Sequence, residues 1–189
     1  LSRNSPETNN MKQYTRITFN TNNWERPSGN VGKSKSPITF EGSNYFGFEE
    51  WLFDQSTLIN GKKYGFIQGI AASTKKRENP IELILFTINS ITKKRLHVAT
   101  IKKWKHFIDV NDQVLNHYKQ KGWLKQMRND VSTIKGNVLE FDNVAANNGI
   151  EPLFNICFDF KDLEIKAKPT VFPKNHPVYK LNRFRIYQF

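Results

Sequence analysis

The chain has 189 residues, enough for one domain with a substantial core, and its single cysteine, Cys157, excludes an internal disulfide and a cysteine-rich zinc site. Lys and Arg number 29 against 17 Asp and Glu, a formal net charge of +12, which points to a polyanionic partner, nucleic acid first and an anionic membrane surface second. No apolar run approaches the roughly 18–20 residues of a membrane span, no signal-peptide pattern is present, and neither end carries a basic amphipathic anchor. One cysteine fits a reducing, cytoplasmic setting.

Residues 1–12 are polar and without apolar periodicity, and read as a disordered leader, with Met11 a candidate start; a single domain is expected over 13–189. Folding begins at Tyr14–Phe19, a β-rich alternation that Asn20–Asn23 breaks. The segment that organises the chain is 24–54, where Trp24, Trp51, Phe48 and Phe53 flank a glycine-rich basic loop, 26–36. Gly32-Lys33-Ser34 in that loop invites comparison with a P-loop. Pro27 stands where the first P-loop glycine should be, and Pro37 with β-branched neighbours follows where a helix is required, so nucleotide triphosphate binding is rejected. Phe48–Gln55 reads as a short helix or turn with Phe48, Trp51 and Leu52 inward, leaving Glu49 and Glu50 either solvated or reaching for hydrogen-bond donors, those of a base edge included.

Asn60-Gly61 is the clearest hairpin turn, and 62–72 is expected to be a strand. Ile81–Ile91 is β-branched and apolar throughout, the signature of a central strand; Lys93-Lys94-Arg95 then turns the chain into a strand over Leu96–Trp104. From Asp109 to Ile134 the apolar spacing becomes helical, with Gly122 dividing two helices. Val138–Phe141 reads as a return to β structure, 142–149 as a flexible loop, and Leu153–Asp159 and Leu163–Lys168 as a strand pair. Phe184, Ile186 and Tyr187 are expected to dock the proline-spaced tail on the sheet. The fold class is therefore α+β: a curved, mostly antiparallel sheet or barrel with one or two helices around 109–134.

No histidine pair has the spacing of a helical metal site, so no metal and no cofactor are expected. Glu164-Ile165-Lys166, with Asp142 on a neighbouring strand, would match the metal-dependent nuclease pattern of the PD-(D/E)XK type, in which acids hold Mg²⁺ and the lysine supports the attacking water. The competing reading is binding without catalysis. Aromatic planes beside cationic loops can hold an extruded base while lysines track phosphates. On that reading Trp24, Arg26, Trp51 and Tyr64 are the base-pocket candidates, with Trp24 exposed and Trp51 the more core-like of the tryptophans. Lys33, Lys35, Lys93, Lys94, Arg95, Lys102, Lys103 and Lys105 form the backbone-contacting rim.

Trp24–Gly29, Gly32-Lys33, Gly47–Phe53, Tyr64–Gly69 and Asn182–Tyr187 together resemble N-terminal target-recognition domains of bacterial restriction endonucleases. The resemblance implies a PUA-like barrel, including the SRA and EVE types that flip modified bases, or a B3-like pseudo-barrel. It also implies double-stranded DNA, modified or plain, as partner, and a separate nuclease or NTPase region after this domain.

Overall fold

The computed structural model describes residues 12–72, 82–146 and 153–189. Eight strands form two sheets, and five helices pack beside them. The first sheet contains β1 (Lys12–Arg16), β3 (Glu82–Ile88), β4 (Arg95–Ile101), β7 (Leu163–Val171) and β8 (Ile186–Tyr187) in the order β7-β4-β3-β1-β8. Only β1 and β3 run parallel; the other neighbours are antiparallel. The apolar run predicted as a central strand is β3, buried continuously from Leu83 to Thr87 because both of its faces are covered. The second sheet, β2-β6-β5, joins β2 (Lys62–Gly65), β6 (Ile156–Asp159) and β5 (Lys105–His106), all antiparallel.

The two sheets share one core. Ile17, Leu83, Leu85, Val98 and Ile101 from the first meet Ile156 and Phe158 from the second, with Trp24, Leu52 and Phe53 between them. The sheets do not close into a barrel, so the open-sheet alternative is the observed one. A second core lies under α3 (Gln113–Gln120), α4 (Trp123–Thr133) and α5 (Val138–Ala146), where Leu115, Tyr118, Met127, Val131 and Phe141 pack on Phe46, Phe48 and Trp51. The helical spacing over 109–134 is thus α3 and α4, split at Gly122, whose φ of +72° suits glycine. The Asn60-Gly61 turn is also present, with both residues at positive φ and Ile59 bridged to Lys62.

Four expectations are corrected. Val138–Phe141 is helical, because Asn137 Oδ1 accepts from the Glu140 N–H and the 3.6 period brings Phe141, Val144 and Ala145 to the second core, overriding β propensity. That helix runs on to Ala146, so only 147–149 of the expected loop remain, and they lie outside the described residues. The strand at 62 ends at Gly65. The buried Asn155 side chain caps the chain there, accepting from Ile67 N–H and donating to Ile67 C=O, before the short α2 (Gln68–Ala71). Finally, β6 and β7 do not pair: a 3₁₀ turn over Phe160–Asp162 passes the chain from one sheet to the other. Lys12, assigned to the leader, opens β1, while residues 1–11 lie outside the described residues. The tail docks as expected, β8 pairing with β1 through Tyr187–Tyr14 and Ile186–Thr15. Among the described residues no helix is long and apolar enough to cross a membrane.

Candidate functional site

Gly47-Phe48-Glu49-Glu50-Trp51 folds as a 3₁₀ turn over Phe48–Trp51. Three residues per turn place Phe48 and Trp51 on one side, against the helical core, and leave Glu49 and Glu50 to find buried partners elsewhere. Glu50 is fully buried and saturated. It accepts from Lys33 Nζ at 2.7 Å, Asn20 Nδ2 at 2.7 Å, Ser28 N–H at 3.1 Å and Gly47 N–H at 2.9 Å. Burial pushes the Glu50 carboxyl up and the Lys33 ammonium down, and the opposite charge of each partner offsets part of that shift.

Glu49 faces the other way. Its Oε1 accepts from Gln68 N–H and its Oε2 from the Thr18 hydroxyl, both at 2.9 Å. The residue is 2% exposed, and burial pushes its carboxyl up to about 7 against these hydrogen bonds. Beside it is a cavity of about 400 Å³, walled by Phe40, Phe48, Phe66 and Phe184, with Thr18, Thr39, Glu41 and Glu49 supplying oxygen atoms. Gly47 belongs to the same lining. A Cβ there would stand 2.1 Å from Thr18 Oγ1 and 2.9 Å from Glu49 Oε2, so only glycine permits this packing. Arg16 closes one flank: it donates to Glu41 Oε1 at 3.2 Å and to Asn182 C=O at 2.7 Å, and its guanidinium lies 4.2 Å from the Phe184 ring centre.

The base-pocket candidates read from sequence are not brought together. Trp24 was expected to be exposed; it is 4% exposed, its indole N–H donates to Thr18 C=O, and its ring packs on Phe53 in the inter-sheet core. Trp51 is core, as expected, and donates to Asp130. Tyr64 is half-buried on β2 against Phe107, and Arg26 is exposed on the loop. The cavity walls instead come from Phe40, Phe66 and Phe184, which sequence reasoning passed over, together with Phe48. A signal for the last was available: Phe184 stands between Arg183 and Arg185, both exposed.

Among the rim candidates, Lys33 is corrected. At 1% exposure, with its ammonium on Glu50 and on the Gly29 and Tyr45 carbonyls, it cannot meet a phosphate. Lys35, Lys93, Lys94, Lys103 and Lys105 are exposed. Lys102 is exposed and paired with Glu164, and Arg95 is half-buried, donating to Asn182 Oδ1 at 2.6 Å. The nuclease constellation does not assemble as read: Asp142 lies on α5, not on a strand, and is paired with Arg128, while Glu164 faces Lys102. Among the described residues no cluster of three His, Cys, Asp or Glu side chains could hold a metal ion.

Comparison with protein-family models, with curated proteins and with solved structures finds no match to this chain, so its own geometry carries the functional reading.

Proposed function

We propose that this chain is a DNA-recognition module that accepts an extruded base in the phenylalanine-walled cavity. The observation that supports it is the cavity itself: a volume suited to a nucleobase, aromatic faces on several sides, and hydrogen-bonding oxygens at its floor, in a protein of net charge +12. Aromatic walls replace the stacking that a base loses on leaving the duplex, and exposed lysines and arginines supply sequence-independent attraction to phosphates. Placement within a restriction system, ahead of a nuclease or NTPase region and in the cytoplasm, is part of the same proposal and rests on the motif resemblance and the lone cysteine.

The test is a binding panel of duplexes carrying 5-methylcytosine, 5-hydroxymethylcytosine, N6-methyladenine or no modification, measured across a salt series. Affinity is expected to fall steeply with salt, and Phe184→Ala is expected to lower affinity for the best duplex roughly 5- to 150-fold, the range of one lost base–aromatic stack. Salt-independent or absent DNA binding would remove the reading.

A further inference from the structure

We infer that the cavity selects a base bearing an exocyclic amino group, held by Glu49, while Arg183 and Arg185 grip the phosphates of the same nucleotide. This inference rests on the base-cavity reading above and specifies its ligand.

The cavity is chemically one-sided. Its polar lining is dominated by acceptor oxygens, and no lysine or arginine is part of that lining. Arg16, the nearest flanking cation, is already engaged by Glu41 Oε1 and Asn182 C=O. Each Glu49 oxygen receives one protein hydrogen bond, from Gln68 or Thr18, and a carboxylate oxygen accepts two. The remaining capacity calls for a donor on the ligand. Adenine, cytosine and guanine each present an amino group. Thymine presents a single ring N–H between two carbonyls, which would set oxygen against oxygen in a water-poor site. A phosphate is excluded from the interior for the same reason.

The rim has the opposite sign. Phe184 forms a wall, and the exposed Arg183 and Arg185 flank it in sequence. The segment that carries them is fixed at several points. Asn182 C=O and Oδ1 receive Arg16 and Arg95, Tyr187 donates to Arg183 C=O, the Arg185 backbone packs on Gly69, and Ile186–Tyr187 pairs with β1. An acceptor floor, aromatic walls and a cationic lip match a molecule with an amino-bearing ring at one end and a phosphate at the other. Glutamate 49 is thus assigned to specificity and the two arginines to anchoring.

The experiment is an NMR titration of the isotopically labelled whole chain with the 5′-monophosphates of deoxycytidine, deoxyadenosine and thymidine, and with the pyrimidin-2-one and purine analogues that lack only the amino group. Gly47, Gln68 and Phe184 amides are expected to shift with the amino-bearing nucleotides, with about tenfold weaker binding of the analogues and of thymidine monophosphate, the effect of one buried hydrogen bond left unmade. Arg183→Ala/Arg185→Ala is expected to abolish the advantage of deoxycytidine monophosphate over unphosphorylated deoxycytidine. The ligand comparison uses wild-type protein, so it survives any variant that fails to fold. Equal binding of cytidine and thymidine nucleotides, or no shift at these amides, overturns the inference. Duplex binding across a salt series, run on the same preparation, reports separately on the DNA reading.

Discussion

Replacing Lys33 with methionine keeps the aliphatic stem and deletes the ammonium, leaving the Glu50 carboxylate buried without its counter-charge. Breaking a buried pair in this way typically costs about 3–5 kcal/mol. Here Glu50 keeps Asn20, Ser28 and Gly47 as donors, so the loss should lie near the lower end, about 3 kcal/mol. For a chain of this size each kcal/mol lowers Tm by about 2–4 °C, giving a fall of about 6–12 °C. Thermal and urea unfolding would be measured for wild type, Lys33→Met, Glu50→Gln, the double variant and Lys35→Met as an exposed control expected within about 0.5 kcal/mol of wild type. The double variant should recover part of the loss, since neither charge is then buried alone. A Lys33→Met protein that melts like the Lys35 control but binds DNA with a flatter salt slope would refute the structural role and return Lys33 to the phosphate-contacting set.

Trp24→Ala should destabilise the fold by about 3–5 kcal/mol, because it empties the inter-sheet core and strands the Thr18 carbonyl; an unchanged urea midpoint would contradict its burial. Glu49 should make stability fall as pH rises from its ordinary 4.5 to about 7, because the folded state holds that proton after the unfolded state has released it. Glu49→Gln should flatten this window in pH-resolved unfolding, and an unaltered slope would place the carboxyl in a better-solvated environment. Lys63 acts in the opposite window. Its buried ammonium, on Asp54 C=O and Thr57 Oγ1, is pulled down to about 8, so stability should rise between pH 8 and 10.5 as the unfolded state alone remains protonated. Lys63→Met should remove that rise.

Elements whose cause is local were legible in the sequence. The Asn60-Gly61 turn needs only its own two residues, β3 shows burial on both faces as an unbroken apolar run, and α3 and α4 show one face each through Val114, Leu115, Tyr118, Met127 and Val131. What depends on distant partners was not. Val138 and Leu139 look β-forming until Asn137 caps them and the second core receives Phe141. The strands at 156 and 163 have similar patterns, and nothing local reveals that they join different sheets. Lysine and glutamate ordinarily read as exposed, so the burial of Lys33 against Glu50, 17 positions away, left no mark. The organising stretch did contain the site's turn, with Gly47, Phe48 and Glu49 in it. Its other walls arrive from Phe40, Phe66 and Phe184, and the ring–cation pairing of Phe184 with Arg16 depends on β8 docking beside β1.

The occupancy of the cavity can be tested by plugging it. Ala71, at the end of α2, lines the cavity and is itself exposed, so Ala71→Trp adds an indole without cutting either core. Its affinity would be measured beside wild type on the modified and unmodified duplexes, with Tm recorded for both proteins. With the fold intact, the plugged protein is expected to bind all duplexes with the same weak, salt-dependent affinity, having lost discrimination while keeping phosphate attraction. A folded Ala71→Trp protein that still distinguishes the duplexes as wild type does would show that no base enters this cavity.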